Sequence, residues 1–158
     1  MQTIYHTSLV LHIIGLTMLA GITLADFILF KQFWKHLENN KQQGLAINAA
    51  MARLPAFFGI GVLLLIFSGV GMMAITHGVF GEQIWFRIKI ALVVIIIING
   101  LTVGRRQGAK LRKILPDITL EKGIDSRLLK IKATLRRFHI SQLTLFIIIF
   151  ILSVFKFN

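Results

Sequence analysis

The chain contains no cysteine, which excludes disulfides, thiolate metal centres and iron–sulfur clusters. Acidic residues are scarce as well. Six Asp and Glu stand against eighteen Lys and Arg, for a formal net charge of +12. The sequence also lacks the polar surface that a soluble domain of 158 residues requires. Neither HExxH nor any other compact metal-ligand spacing occurs, which argues against a zinc hydrolase. The first residues carry no Lys/Arg-rich stretch and no small-residue cleavage site, so the first apolar block is expected to be a retained span.

What is present is long apolar runs. Hydrophobic residues make up 56% of the chain, and the mean hydropathy is +0.78. The apolar residues come in blocks near the ~20 residues that cross ~30 Å of hydrocarbon. Lipid permits only helices or closed barrels, and these blocks are too long and too uniformly apolar for barrel strands. The expectation is an all-α, polytopic membrane protein, a four-transmembrane-helix antiparallel bundle forming one domain. Its spans are expected at about 4–30, 54–76, 84–104 and 138–157, with a basic loop at 105–137. The cations lie between the blocks, where orientation signals belong, so no nucleic-acid partner is expected.

Along the chain, span one should continue as an amphipathic extension through Trp34 and His36, before a loop over Glu38–Gly44. Ala46–Arg53 resumes a helix ahead of Pro55, a residue tolerated in a first turn. Gly59, Gly61, Gly69 and Gly71 in span two permit close helix approach. Gly69 in particular is expected to face another helix. His77–Glu82 reads as a short turn, and Asn99 lies deep in span three. LPDITLEKGID reads as a break between two cationic helical pieces.

The connections after spans one and three hold nearly all the cations, eleven of them in 105–137. Short loops rich in Lys and Arg stay cytoplasmic. Both termini and the Gly78–Glu82 turn should therefore lie outside, in a bacterial inner membrane. This topology gathers His6, His12, His77, Glu82, Arg87 and Lys89 in the outer half, and Asp26, His36 and His139 in the inner half.

Within span one, His12 and Asp26 are fourteen residues apart, almost four helical turns, and so share nearly one face. Ser8, Gly15, Leu19 and Thr23 lie on or beside it. Ionisable side chains avoid lipid, so the other helices should pack on this stripe. His12 is either a ligand for haem iron or another transition metal, or a histidine hydrogen-bonded to a neighbouring span. His6 and His77 are either interfacial histidines or the source of a second axial ligand. Lys89 either snorkels to the interface or neutralises a buried carboxylate such as a porphyrin propionate, with Arg87 nearby. Asp26 pairs with Lys31 or caps polar groups, a proton relay having less behind it. His36 and His139 are expected among lipid headgroups, and the basic loop against anionic ones.

Four stretches carry a family resemblance: LHIIGLTMLAG, RLPAFFGIGVLLLIFSGVGMM, WFRIKIALVVIIIING and RRFHISQLTLFIIIFILSVFKF. Together they resemble HemJ-type protoporphyrinogen oxidases and the related four-helix membrane proteins with CopD-like domains. His12 stands at the family's first-span histidine, and Lys89 at its lysine early in span three. Met18-Leu19, Ala25-Asp26 and Asn99 depart from the family's tryptophan, Pro-Arg and later histidine. The resemblance implies haem b and, for the HemJ branch, six-electron oxidation of protoporphyrinogen.

The leading expectation is thus a b-haem membrane protein of the HemJ-like type, acting in porphyrin oxidation or membrane electron transfer. The alternatives are a non-enzymatic membrane component and a small transporter or metal-handling protein without haem. A porphyrin, a quinone and a second copy of the chain stay open as partners.

Overall fold

The computed structural model describes residues 2–117 and 126–155. Six α-helices follow one another: α1 (Gln2–Asn39), α2 (Lys41–Met51), α3 (Leu54–Ile75), α4 (Ile84–Asn99), α5 (Arg105–Ile114) and α6 (Ser126–Val154). They combine into an all-α four-helix bundle. Among the described residues, four stretches are long and apolar enough to cross a membrane, namely Gln2–Leu37, Lys41–Ile75, Ile84–Ile114 and Ser126–Val154. Lys31, Lys35 and the cations of α5 and early α6 gather at one end, called here the basic end.

The loop expected over Glu38–Gly44 is a single-residue break. α1 runs to Asn39, and Asn40 caps α2 by accepting from the backbone N–H groups of Gln42 and Gln43 at 3.0 and 3.3 Å. An Asn side chain satisfies two otherwise unpaired donors there, so helix resumes at once. The break between α2 and α3 falls at Ala52–Arg53, with Pro55 in the first turn of α3. The expected turn is present at the opposite end, where His77 and Gly78 both take positive φ and Val79–Glu82 forms one 3-10 turn.

The third span is also longer than its apolar block. A π-helical turn at Gly100–Gly104 joins α4 to α5 without interrupting the helix. Much of the basic loop is therefore helical. Its expected break at LPDITLEKGID lies mostly outside the described residues. At the π turn a Cβ on Gly104 would come within 2.8 Å of the Phe138 ring, so glycine lets α6 lie against this helix.

α1 packs most extensively on α3 and also meets α2 and α6, while α4 and α5 pack on α6. Two cores result. One lies at the basic end and contains Phe30, Phe33, Trp34, Leu37, Leu111, Leu115, Leu128, Ile131 and Leu135. The other lies mid-bundle, with Leu19, Leu65, Ile96, Phe146 and Ile149. Between α1 and α3 the backbones nearly touch. A Cβ on Gly15 would lie 2.9 Å from the Leu65 nitrogen and 3.1 Å from the Gly61 oxygen. Of the span-two glycines, Gly61, Gly69 and Gly71 face Leu19, His12 and Ser8 of α1, whereas Gly59 borders open space.

Candidate functional site

The stripe on α1 is the seam of the bundle, as its periodicity implies. Ser8, His12, Gly15 and Leu19 meet α3, and Asp26 meets α6. Two polar centres result, one built on each of its ionisable residues.

The first is His12. Its Nδ1 lies 3.1 Å from the Ser68 hydroxyl, and Gly69, having no side chain, leaves room for the ring, whose Cε1 lies 3.5 Å from where a Cβ would stand. Ser68 is buried, and its Oγ lies 2.5 Å from the Leu64 carbonyl and 3.2 Å from that of Leu65. Carbonyls only accept, so the one hydroxyl proton goes to them. Oγ must then accept from His12 Nδ1–H. The ring also meets the Leu65 backbone, and in its neutral form a protonated Nδ1 leaves the lone pair on Nε2. Such a ring is fixed by its second partner and able to ligate a metal through Nε2.

The charge of Lys89 on α4 reaches the His12 ring. The other outer residues do not join them. Arg87 Nε donates to the Gly81 carbonyl at 2.8 Å, which fastens the turn. His6 and His77 are both exposed. His6 stands six residues from His12, about 9 Å along the axis and two-thirds of a turn round the helix. Among the described residues no three His, Cys, Asp or Glu converge on a metal-sized position.

The second centre corrects two sequence expectations. His139 does not sit among headgroups, and Asp26 does not pair with Lys31. His139 is 1% exposed, with Nε2 3.0 Å from Asp26 Oδ2 and Nδ1 2.7 Å from the Leu135 carbonyl. Lys31 instead lies over the Phe27 ring, 4.4 Å from its centroid. The carbonyl requires a proton on Nδ1, so one further proton is held between Nε2 and the carboxyl group. Phe30, Phe138 and Phe27 surround the ring at centroid distances of 4.9, 5.2 and 6.0 Å. Both groups stand at similar distances from the basic end of antiparallel spans, the same signal that matches His12 with Lys89 by depth.

Of the remaining polar groups, His36 bonds Gln43 at 2.9 Å near the basic end. Asn99 donates to Ser141 at 3.2 Å, and Gln142 donates to the Ile96 carbonyl at 3.0 Å. These last two bonds join α4 to α6 across the bundle.

No family model, curated protein or solved structure matches the chain. The family resemblance thus rests on its short motifs, and the functional reading on the geometry around His12.

Proposed function

We propose that the chain is an integral membrane protein that binds haem b through His12 and acts, in the HemJ-like manner, in porphyrin oxidation or membrane electron transfer. One observation carries this reading: His12 Nδ1 lies at hydrogen-bond distance from a Ser68 hydroxyl that donates its own proton to a carbonyl, which leaves Nε2 of a half-buried imidazole as a lone-pair donor. Lys89, whose charge reaches the ring, is a cation suited to a porphyrin propionate. Haem would supply redox chemistry. The chain's own work is to hold the ring, present Nε2, place the cation and surround both with apolar walls that strengthen charge interactions. Arg87, His6 and His77 have no part in this reading. We further propose, from the Lys/Arg distribution, that both termini and the Gly78–Glu82 turn lie outside, and that the membrane is a bacterial inner membrane.

The decisive experiment is an absorption spectrum of protein purified in detergent from haem-replete cells. A Soret band in the wild type, lost in His12→Ala, is expected. Lys89→Ala should weaken binding or shift the potential. A wild-type protein with no Soret band after haem supplementation sinks the proposal in favour of a cofactor-free membrane component or transporter. Orientation is checked with single cysteines, since the native chain has none. In intact cells an impermeant thiol reagent should label Gly81→Cys and spare Lys110→Cys; the opposite pattern reverses the assignment.

A further inference from the structure

Asp26 and His139 meet as two acceptors, and that geometry requires a proton. The Leu135 carbonyl, 2.7 Å from Nδ1, commits that ring nitrogen to carrying a hydrogen. In the neutral ring Nε2 then presents a lone pair, and the Asp26 carboxylate presents another. Nε2 and Oδ2 nevertheless lie 3.0 Å apart, the distance of two atoms that share a hydrogen. One proton, on either partner, turns this repulsion into a charge-assisted bond and leaves the pair without net charge.

Ionisable groups inside a span mark proton or ion routes, and the surroundings show on which side this one opens. The Asp26 side chain keeps 29% exposure against 2% for His139, so the carboxyl is the partner that meets the outside. It stands five residues before Lys31, about 7.5 Å along the axis, and His139 stands two residues after Arg137. The pair is thus close to the basic end. Behind it the route stops. Phe27, Phe30 and Phe138 wall the ring, and Nδ1 faces a backbone carbonyl, which has no proton to hand on. Deeper in, Thr23 and Gln142 donate to the Leu19 and Ile96 carbonyls at 2.8 and 3.0 Å. The apolar core of Leu19, Leu65, Ile96, Phe146 and Ile149 follows before the level of His12 is reached.

The charged side chains nearest this level on each packed element are Lys31 on α1, Arg53 just before α3, Arg105 and Arg106 on α5, and Arg136 and Arg137 on α6. All of them are exposed, where their fields are screened. The ion pair that Asp26 makes is with His139.

We propose that Asp26 and His139 form a proton-binding site that loads and unloads through Asp26 on the basic side and is closed toward His12. It stores one proton and does not conduct protons across the membrane. Release sets two acceptors against each other, so the contact between α1 and α6 at this level depends on the proton being there. The site stands independently of haem, so failure of one proposal leaves the other intact.

Two readings on the full chain in detergent test it, each taken across the pH range in which the protein stays folded. Infrared spectra of the wild type follow the Asp26 carboxyl, identified as the signal that Asp26→Asn removes. Proton–nitrogen correlation spectra of isotope-labelled histidine follow the ring. His6→Gln, His12→Gln, His36→Gln and His77→Gln together leave His139 as the single histidine of the five. As pH rises, one proton should leave the pair, seen as imidazolium converting to the Nδ1–H tautomer or as carboxylic acid converting to carboxylate. Asp26→Asn, whose amide N–H meets Nε2 without an added proton, should keep the contact and abolish the titration of His139. In sealed vesicles holding a trapped pH dye, the wild-type chain should maintain an imposed pH gradient as long as protein-free vesicles do. Constant spectra of both partners, unchanged titration of His139 in Asp26→Asn, or a proton leak that Asp26→Asn abolishes would each overturn the proposal.

Discussion

Each half of the bundle encloses one histidine, and the two are held in opposite ways. His139 has acceptors on both ring nitrogens, the Leu135 carbonyl and the Asp26 carboxyl, within a wall of phenylalanines. His12 instead meets the Ser68 hydroxyl at Nδ1 and the Leu65 backbone. A ring whose two nitrogens both point at acceptors has no lone pair for a metal, whereas a ring with a single fixed N–H does. Burial of a histidine in a membrane therefore does not identify a ligand; the state of its second nitrogen does. The surrounding packing differs too. At the basic end, large residues such as Phe33, Trp34 and Leu37 form the core, and where water is near the hydrophobic effect drives their burial. Within lipid that drive is absent, and α1 and α3 meet through Gly15 and Gly61 instead.

Exchanging the losses is the strongest way to break this comparison. His139→Ala leaves Asp26 beside an apolar void. Removing one partner of a buried ion pair destabilises by ~3–5 kcal/mol. The lower end, about 3 kcal/mol, is expected here because Asp26 keeps 29% exposure. The Soret band should survive in detergent below the melting temperature. His12→Ala should do the reverse, losing the band while the apoprotein melts close to apo wild type. If both variants lose haem without loss of stability, the distinction between the two histidines fails.

How much of this was legible depends on what each residue needs to be understood. Four spans, the seam on α1 and the common depth of His12 and Lys89 follow from apolar length, helical period and depth. Each requires only one helix, or the relative depth of two. The partnership of Asp26 with His139 spans 113 residues, and each member has a nearer cation that offers a simpler account. Depth counting points to it only once the inner half is treated like the outer. The single-residue break at Asn40 was hidden for a different reason. ENNKQQG is polar throughout, and hydropathy cannot distinguish a polar loop from a capped polar helix. Ser68 gave no signal at all, because its role exists only through the carbonyl that takes its proton.

The close approach within lipid gives a smaller effect. In Gly15→Leu the new side chain meets the backbone of α3, which cannot move aside as a side chain would. Overpacking of this kind destabilises by ~1–3 kcal/mol. Gly59→Leu, bordering open space, is the matched control and should leave the melting temperature in detergent nearly unchanged. Equal effects at both positions would mean that the seam is not where α1 and α3 are held.

The smallest effect expected on stability is also the sharpest on mechanism. Ser68→Ala removes the hydroxyl that accepts from His12 Nδ1–H and donates to the Leu64 carbonyl. The α3 backbone keeps its own helical bonds, so the loss in stability should be about 1 kcal/mol, the ordinary worth of one hydrogen bond. The consequence for His12 is larger than that figure suggests. Without the hydroxyl the ring keeps only the Leu65 backbone as a partner, so it rotates and exchanges tautomers more readily and Nε2 is held less firmly as the lone-pair nitrogen. Partners of a ligating imidazole typically influence metal affinity by ~10–100-fold. Ser68→Ala should therefore retain the Soret band when haem is in excess, bind haem at least about tenfold more weakly in titration, and show a shifted reduction potential. Ser68→Thr, which preserves the hydroxyl, should restore wild-type affinity. If alanine binds haem as tightly as serine, Ser68 does not set the ring, and the tautomer argument for His12 falls with it.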